Sequence, residues 1–177
     1  IEVWGYADTS QYYSGVQGRI DLENAEISNM QKGIIAAKTK QGAYDRGFEG
    51  GIIRAKDCSF INNNRSIALG PYQNFHPVSC NEMDNFSRFE RCTFKITSNN
   101  SAHVNFDYHT YLASVKGIQF KGCYFADYSA SNMPVNGTAG IYVVGSSFIV
   151  TESCLDPTIS PCQQFQTGSF TNLNYGV

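Results

Sequence analysis

The sequence predicts an all-β solenoid, in which the short strands of successive coils stack on one another. The first observation is a motif of Cys, any residue and Phe, which recurs at nearly equal intervals from Cys58 to Cys92 and from Cys92 to Cys123. The second is a local alternation of apolar and polar residues with a period of two, which is the pattern of pleated strands. The third is that no segment carries the apolar stripe of an amphipathic helix, which has a period of 3.6 residues.

Each coil can be aligned on one apolar residue, here called the anchor, which lies two positions after a small residue. The small residues are Ala25, Cys58, Cys92, Cys123, Ser146 and Gly168. The anchors are Ile27, Phe60, Phe94, Phe125, Phe148 and Phe170. Further apolar residues lie mostly five and seven positions before each anchor, so the odd offset of five predicts a one-residue jog between two short strands.

A second repeat follows the anchor and predicts the next turn. Asn29, Asn62 and Asn172 lie two positions after their anchors, and an apolar Ile or Val follows five positions later. Asn tolerates the left-handed backbone region, so it suits a tight turn between strands. Periods in the twenties to thirties with three short strands per coil are typical of a parallel β-helix, whose equivalent positions stack about 4.8 Å apart.

Two stretches carry a resemblance to a known group of proteins: HTYLASVKGIQFKGCYF at 109–125 and GIYVVGSSFIVTESC at 140–154. The chain resembles right-handed parallel β-helix, pectin-lyase-like repeat proteins over nearly its whole length. More narrowly, it resembles coils of large secreted surface proteins of Bacteroidetes of the type IX secretion kind. The resemblance implies a right-handed solenoid, here of about six coils with loop insertions on one side. It leaves the activity open, because such proteins include polysaccharide lyases, hydrolases and non-catalytic stalks.

Composition and charge exclude several classes of function. The 177 residues are 42% hydrophobic and 16% charged, with a net charge of −2. One core of this size needs no second domain, so residues 1–177 are expected to form a single β-helix domain. The sequence contains no run of Lys and Arg residues, so nothing indicates a surface that binds nucleic acid or a polybasic patch that binds a membrane. No apolar stretch approaches the roughly 18 residues that a transmembrane helix needs.

The six cysteines fall into different predicted roles. Cys58, Cys92 and Cys123 are expected to be reduced, buried and stacked, because parallel inward side chains cannot easily reach the dihedral angle of a disulfide. Cys154 and Cys162 flank a turn-rich loop with two prolines, and they are the candidate disulfide. Cys80 has no identifiable partner. No cysteine spacing predicts a zinc site.

Catalytic patterns are sparse. Lyases of the resembled group hold calcium with Asp residues and use an Arg or Lys base, and the outward candidates here are Lys56, Asp57, Glu90, Arg91 and Lys121. A solvated ladder of alternating charge is the favoured interpretation of these five residues. His103, Asp107 and His109 could also be drawn as a metal triad, but an incidental grouping is favoured. We therefore expect no metal and no cofactor, with calcium only if the chain is a lyase.

The predicted insertions gather the candidate ligand-binding residues. They run from Ala36 to Ile53, from Leu69 to Ser87 and from His103 to Ile118, all at one phase of the coil. Insertions on one face of a solenoid often form its binding face. The candidates in them are Tyr44, Arg46, Tyr72, His76, Tyr108 and His109. Their rings are expected either to face solvent in a shallow groove or to pack the loops onto the sheet.

The expected function is that of a non-catalytic, secreted or surface-displayed segment of stalk or adhesin type, which binds a glycan or surface partner through stacked loops. The alternative is a polysaccharide lyase or glycoside hydrolase domain on the same fold. The separation between Val3 and Ile20 equals that between Ala36 and Ile53, and Val177 falls at the same phase of the coil as Val3. The chain is therefore expected to be a segment of a longer solenoid, with flanking coils of the parent chain as partners.

Overall fold

The protein is a parallel β-solenoid. Its structure, a computed structural model, describes residues 1–13, 15–40, 43–97, 106–129 and 138–177. In this part of the chain there is no helix, and three parallel sheets carry most of the strands. The all-β class and the stacking of coils predicted from the sequence are confirmed.

Along the chain, successive strands of a coil join the three sheets in turn, except that in the described residues the last coil adds a strand only to the first two. The first sheet consists of β1 (Arg19–Glu23), β6 (Ile52–Lys56), β11 (Arg88–Glu90), β14 (Ile118–Lys121) and β17 (Phe148–Thr151). The second consists of β2 (Glu26–Ser28), β7 (Ser59–Ile61), β12 (Thr93–Ile96), β15 (Tyr124–Asp127) and β20 (Ser169–Thr171). The third consists of β3 (Ile34–Ala36), β8 (Ile67–Leu69), β13 (Tyr108–Ala113) and β16 (Ala139–Val144).

In the described ranges, three two-stranded antiparallel hairpins project from these coils. They are β4 (Thr39–Lys40) with β5 (Ala43–Tyr44), β9 (Asn74–Phe75) with β10 (Glu82–Met83), and β18 (Ser153–Cys154) with β19 (Phe165–Gln166). The first two belong to the connections 37–51 and 70–87, which both run from the third sheet to the first sheet of the next coil. These two connections therefore lie at one corner of the solenoid, as the sequence predicted.

The core is built from columns of residues in register. In the second sheet, the stacked rings of Phe60, Phe94, Phe125 and Phe170 have successive centroid distances of 4.8, 4.7 and 5.0 Å. In the first sheet, Phe89 and Phe120 stack at 5.0 Å. Burial of large aromatic side chains stabilises a core strongly, and offset stacking adds about 0.5–1.5 kcal/mol per pair. The repeat of one residue type at one phase thus produces the hydrophobic core.

The prediction of six coils is wrong, because Phe148 is not an anchor. Phe148 lies in β17 of the first sheet, where it pairs with Ile118. The true anchor after Phe125 is Phe170, which pairs with it in the second sheet. The two short intervals, before and after Phe148, are therefore parts of one long coil. The two longer sheets stack five strands each and the third stacks four.

Left-handed residues close the corners between sheets. Asn24, Asp57, Arg91 and Gly122 have φ of 51°, 53°, 49° and 60° at the corner between the first and second sheets. Asn29, Asn62 and Asn172 have φ of 58°, 55° and 54° at the next corner. The Asn turns predicted from the sequence are confirmed. Asn62 Oδ1 also accepts hydrogen bonds from the backbone and hydroxyl of Thr97 in the next coil.

The described part of the third predicted insertion, from His103 to Ile118, is mostly strand rather than loop. Residues 108–113 form β13, whereas residues 98–105 lie outside the described part of the chain. The connection after β13 is only residues 114–117. The expectation that Tyr108 and His109 belong to a projecting loop is therefore wrong. Their strand pairs in register with β8 on one side and β16 on the other.

The corner between the first and second sheets departs from the repeat at residues 152–168 of the last coil. Four other coils cross this corner with two residues each, 24–25, 57–58, 91–92 and 122–123. A disulfide between Cys154 and Cys162 closes the longer segment, with a Cα–Cα distance of 6.0 Å. Its base is held by Arg91, whose guanidinium donates to Ser153 Oγ and to the carbonyl of Cys154, both at 3.1 Å.

The remaining four cysteines are free. Cys58, Cys92 and Cys123 are buried in the core between the columns of Phe rings, and Cys80 is exposed. The Cys92 thiol contacts the carbonyl oxygens of Ala55 and Glu90 at 3.4 Å. The neighbouring Cys123 thiol, together with burial, raises the pKa of Cys92, so it remains a protonated, small core residue.

Candidate functional site

A groove on the outer face of the third sheet brings together the strongest candidate binding residues. Its volume is about 430 Å³, and we call it the tyrosine groove. It is lined by Lys32, Ile34, Ile35, Thr39, Ala43, Arg65, Ala68, Tyr108, Tyr111 and Tyr142. Ile35, Ala68, Tyr111 and Tyr142 are partners in register across β3, β8, β13 and β16. The groove therefore arises where a column changes from smaller residues to tyrosines.

A local break in strand alternation brings Tyr108 to the same side as Tyr111. His109 and Thr110 are consecutive and both fully buried, whereas strict alternation would place one of them outside. Consequently Tyr108 and Tyr111, three positions apart, have ring centroids only 5.4 Å apart. Burial raises the pKa of the Tyr108 hydroxyl, which keeps it protonated at neutral pH.

The three tyrosine rings form one compact cluster. Tyr108 and Tyr142 have ring centroids 5.6 Å apart, and Tyr111 and Tyr142 have centroids 5.9 Å apart. The planes within each of the three pairs differ by 28°, 17° and 20°. Because all three distances are similar, the rings do not form a linear stack with a covered middle ring. Tyr142 is the most open of them, with half of its surface exposed.

The charged side chains that line this groove are cationic. The Arg65 guanidinium lies 5.2 Å from the centre of the Tyr108 ring and 3.1 Å from the carboxylate of Asp107. This position combines a cation–π contact with an ion pair and holds the guanidinium beside the ring. Lys32 is the second cation of the lining. The groove thus offers apolar ring surface beside hydrogen-bond donors, as ligand sites commonly do.

A second groove lies between the N-terminal segment and the connection 70–87, and we call it the N-terminal groove. Its volume is about 780 Å³. It is lined by Ala7, Asp8, Thr9, Ser10, Tyr13, Pro71, Tyr72, Gln73, Phe75, His76, Pro77, Cys80 and Ser114. His76 Nδ1 accepts from the backbone N–H groups of Val78 and Ser79 at 3.3 and 3.2 Å. These two hydrogen bonds to Nδ1 stabilise the turn of the β9–β10 hairpin.

A buried polar network fixes one wall of the N-terminal groove. The Tyr72 hydroxyl donates to the Thr9 carbonyl at 2.7 Å, and Asn74 Oδ1 accepts from the Gln11 N–H at 2.9 Å. Gln11 Oε1 in turn accepts from the Phe86 N–H at 2.7 Å. Burial raises the pKa of Tyr72 to about 12. Satisfied networks of this kind rigidify a structure, so this wall holds the N-terminal segment onto the solenoid.

The sequence-predicted candidates therefore separate into different places. The expectation that Tyr72 presents its ring to solvent is wrong, because the N-terminal segment covers it and only 4% of it is exposed. His109 is fully buried against Phe94, Phe106 and Phe125, so it faces no groove. Tyr108 lines the tyrosine groove, whereas His76 lines the N-terminal groove.

The first insertion supplies two further candidates, Tyr44 and Arg46. Tyr44 belongs to β5, where its backbone pairs with Thr39. Arg46 is exposed in the turn after β5 and lines neither groove. Because Tyr72 is buried and Tyr108 and His76 line different grooves, the predicted single site beside Arg46 and His76 is not present.

Sequence reasoning missed Tyr142 and Arg65, and it gave Tyr111 no special place. A usable signal was present in the interval between Tyr111 and Tyr142. The same interval separates the core residues Phe89 and Phe120, and also Phe94 and Phe125. Residues that share the local period share a column, so two tyrosines at that spacing predict an aromatic column.

His109 is a neutral histidine with one unused nitrogen. Its Nε2 lies 3.1 Å from the Ala126 carbonyl oxygen, which can only accept, so Nε2 carries the proton. Its Nδ1 is buried without a hydrogen-bond partner. Burial lowers the pKa of His109 to about 3. His103, the other histidine of the triad weighed above, lies outside the described residues.

Within the described ranges, no group of three or more His, Cys, Asp or Glu side chains is arranged to hold a metal ion. The same part of the chain contains no helix with the length and apolar character needed to cross a membrane. In comparisons with known proteins, the chain matches no protein-family model, no curated protein and no solved structure. The β-solenoid architecture therefore stands on the structure itself.

Proposed function

We propose that this protein is a non-catalytic β-solenoid segment of stalk or adhesin type, which binds glycans in the tyrosine groove. The observation that carries the proposal is the cluster of Tyr108, Tyr111 and Tyr142 beside Arg65 on a rigid sheet face. Aromatic rings offer an apolar surface to the C–H groups of a sugar, and neighbouring polar groups orient its hydroxyls. Because the rings are carried by paired strands, little conformational entropy is lost when a ligand binds.

A secreted or surface-displayed location is part of the proposal. The disulfide between Cys154 and Cys162 closes an exposed loop, and such bonds persist mainly in oxidising compartments. The buried free cysteines are compatible with the same location, because their thiols are protected from oxidants by the core. A rigid stalk that displays a sugar-binding face fits this location.

The test is a matched pair of tyrosine substitutions. Tyr142→Ala removes a ring of the groove, whereas Tyr6→Ala removes a ring that is also 50% exposed but lines neither groove. A panel of neutral and acidic oligosaccharides identifies a ligand, and isothermal titration calorimetry then compares the variants. We expect Tyr142→Ala to weaken binding about tenfold, as for loss of an aromatic hot spot. Tyr6→Ala should leave binding unchanged.

The melting temperature separates binding from folding. Half of the Tyr142 surface is already in water, so the substitution should cost only about 1–3 kcal/mol, the contribution of its two ring contacts. A large stability loss together with unchanged glycan binding would show that the tyrosine cluster only packs the sheet. An absence of binding to every oligosaccharide of the panel would likewise contradict the proposal.

A further inference from the structure

A pair of arginines on the outer face of the first sheet shows an unusual charge arrangement. Arg54 of β6 and Arg88 of β11 are partners in register, which places their backbones about 4.8 Å apart. Asp21 precedes Arg54 in this column, and Gln119 follows Arg88. Like charges directly opposite each other destabilise a sheet, so such a pair requires an explanation.

The neighbouring column shows the ordinary solution to the same problem. Glu23, Lys56, Glu90 and Lys121 alternate in sign through four strands. Lys56 Nζ lies 3.3 Å from the carboxylate of Glu23. Lys56, Glu90 and Lys121 belong to the solvated ladder that the sequence predicted, and neighbouring members of this column carry opposite charges. The column of the arginine pair departs from that rule.

Carboxylates near the arginine pair are already engaged by other cations. Asp21 accepts two hydrogen bonds from Arg19, at 2.6 and 2.7 Å. Glu90 accepts from Arg91 at 2.7 Å, although Arg91 also binds Asp57. Within the described residues, neither Arg54 nor Arg88 has a carboxylate at ion-pair distance.

Arg54 and Arg88 both line a shallow groove of about 320 Å³. It is lined by Asp21, Leu22, Glu23, Arg54, Ala55, Lys56, Arg88 and Glu90. Arg54 is half-buried and donates from Nε to the Phe86 carbonyl at 3.3 Å, which fixes its side chain, whereas Arg88 is exposed. Burial and then the charges of Arg19 and Arg88 lower the pKa of Arg54, whereas the charge of Asp21 acts in the opposite direction.

We propose that Arg54 and Arg88 form a binding site for a tetrahedral oxyanion, a phosphate or sulfate group. Guanidinium groups bind such anions through paired N–H donors, and two of them side by side match a dianion. An anion bridging the pair would remove the repulsion between the strands that carry them. The same chemistry is offered by the free ion and by a phosphate or sulfate ester on a sugar. This site is on a different sheet from the tyrosine groove.

The test titrates the protein with inorganic phosphate at pH 7.5 and with sodium sulfate, while sodium chloride holds the ionic strength constant. NMR chemical shifts or calorimetry report binding. Arg88→Gln and Arg54→Gln should each weaken binding about tenfold or more, because each removes a charge-assisted contact. Arg88→Lys keeps the positive charge but loses the planar pair of N–H donors of the guanidinium, so it should retain part of the affinity. Arg46→Gln, which removes an exposed arginine elsewhere, is the matched control and should have no effect.

Glucose 6-phosphate and glucose 6-sulfate distinguish the two sources. Tighter binding of the esters than of the free ions supports a site for a modified sugar, and the reverse supports a site for the free ion. A response to phosphate and sulfate that equals the response to chloride would overturn the proposal, as would binding that survives both glutamine variants. Tyr142→Ala should leave anion binding unchanged, because the tyrosine groove lies on another sheet. A failure of the anion proposal can therefore be distinguished from a failure of the glycan proposal.

Discussion

Lowering the pH from 7.5 to 5.0 should destabilise this fold through His109. The ring is fully buried among Phe94, Phe106 and Phe125, and its one hydrogen-bond partner is a carbonyl oxygen that Nε2–H already uses. A proton added to Nδ1 would place a positive charge where the described structure offers it no partner. A buried, unpaired charge is costly, so the folded state resists protonation at this position.

The size of the effect follows from the two pKa values. The pKa of His109 is about 3 in the folded state, against an ordinary value of 6.5. The folded pKa is the lower one, so the unfolded chain binds the proton first and stability falls as the pH drops below 6.5. At pH 5.0, which is still well above the folded pKa, the loss depends only on the unfolded value and is about 2 kcal/mol. For a chain of this length that corresponds to roughly 4–8 °C in melting temperature.

Urea unfolding at pH 7.5, 6.5, 5.5 and 5.0 measures this loss directly. The carboxylates with lowered pKa, Asp21, Asp57 and Asp156, start from an ordinary value of 3.8 and titrate below this window. His109→Gln should reduce the loss between pH 7.5 and 5.0 by about 2 kcal/mol. His76→Gln, at the partly exposed turn between β9 and β10, serves as the comparison for removing a histidine outside the core. If wild type and His109→Gln lose the same stability over this range, His109 is not the buried neutral group described here.

Three further changes test the structural framework, each by urea or thermal unfolding. Replacing Cys154 and Cys162 by Ser should cost about 2–3 kcal/mol of chain entropy, and mass spectrometry without reduction should find this bridge and none involving the core thiols. Arg91→Met should cost about 2 kcal/mol, because the side chain is only 11% exposed and supports two carboxylates and the disulfide hairpin; no loss would mean that the hairpin is not anchored there. Phe94→Ala should cost about 3–5 kcal/mol as a cavity in the ring column, whereas the exposed Phe165→Ala should cost less than about 1 kcal/mol.

The core of the solenoid could be predicted because its physical rule is local. A residue in one coil faces the equivalent residue of the next coil, so the stack requires the same type at the same phase. Phe60, Phe94 and Phe125 satisfy that rule and are stacked partners in the structure. Asn29 and Asn62 could be placed in turns for an equally local reason, since Asn tolerates positive φ.

The coil count could not be predicted, because the same local pattern occurs in two sheets. Phe148 follows the small residue Ser146 by two positions, as an anchor would. Only its long-range pairing with Ile118 shows that it belongs to the first sheet. The hairpin at 152–168 lengthens this coil, and a fixed period cannot accommodate such an insertion.

The candidate site was only partly predictable for a related reason. The sequence pattern predicts that Tyr72 is an exposed loop residue. In the structure it is buried beneath the N-terminal segment, where its hydroxyl donates to Thr9, 63 positions away in the sequence. His109 reads as a loop residue too, until the pairing of its strand with β8 and β16 places it inside. Contacts between distant segments decide exposure, and the sequence pattern does not report them.

The two proposed sites follow from one property of in-register sheets. A column whose members alternate in charge, such as Glu23, Lys56 and Glu90, places opposite charges next to each other and needs no ligand to balance them. A column that repeats a tyrosine, or a column that repeats an arginine, leaves ring surface or charge available to another molecule. The stabilisation that the alternating column gains from its own pairs is small at an exposed surface, about 0–1 kcal/mol per pair. Selection for stability alone would therefore only weakly oppose such repeats, and the columns that break alternation are the places where this solenoid is best able to bind ligands.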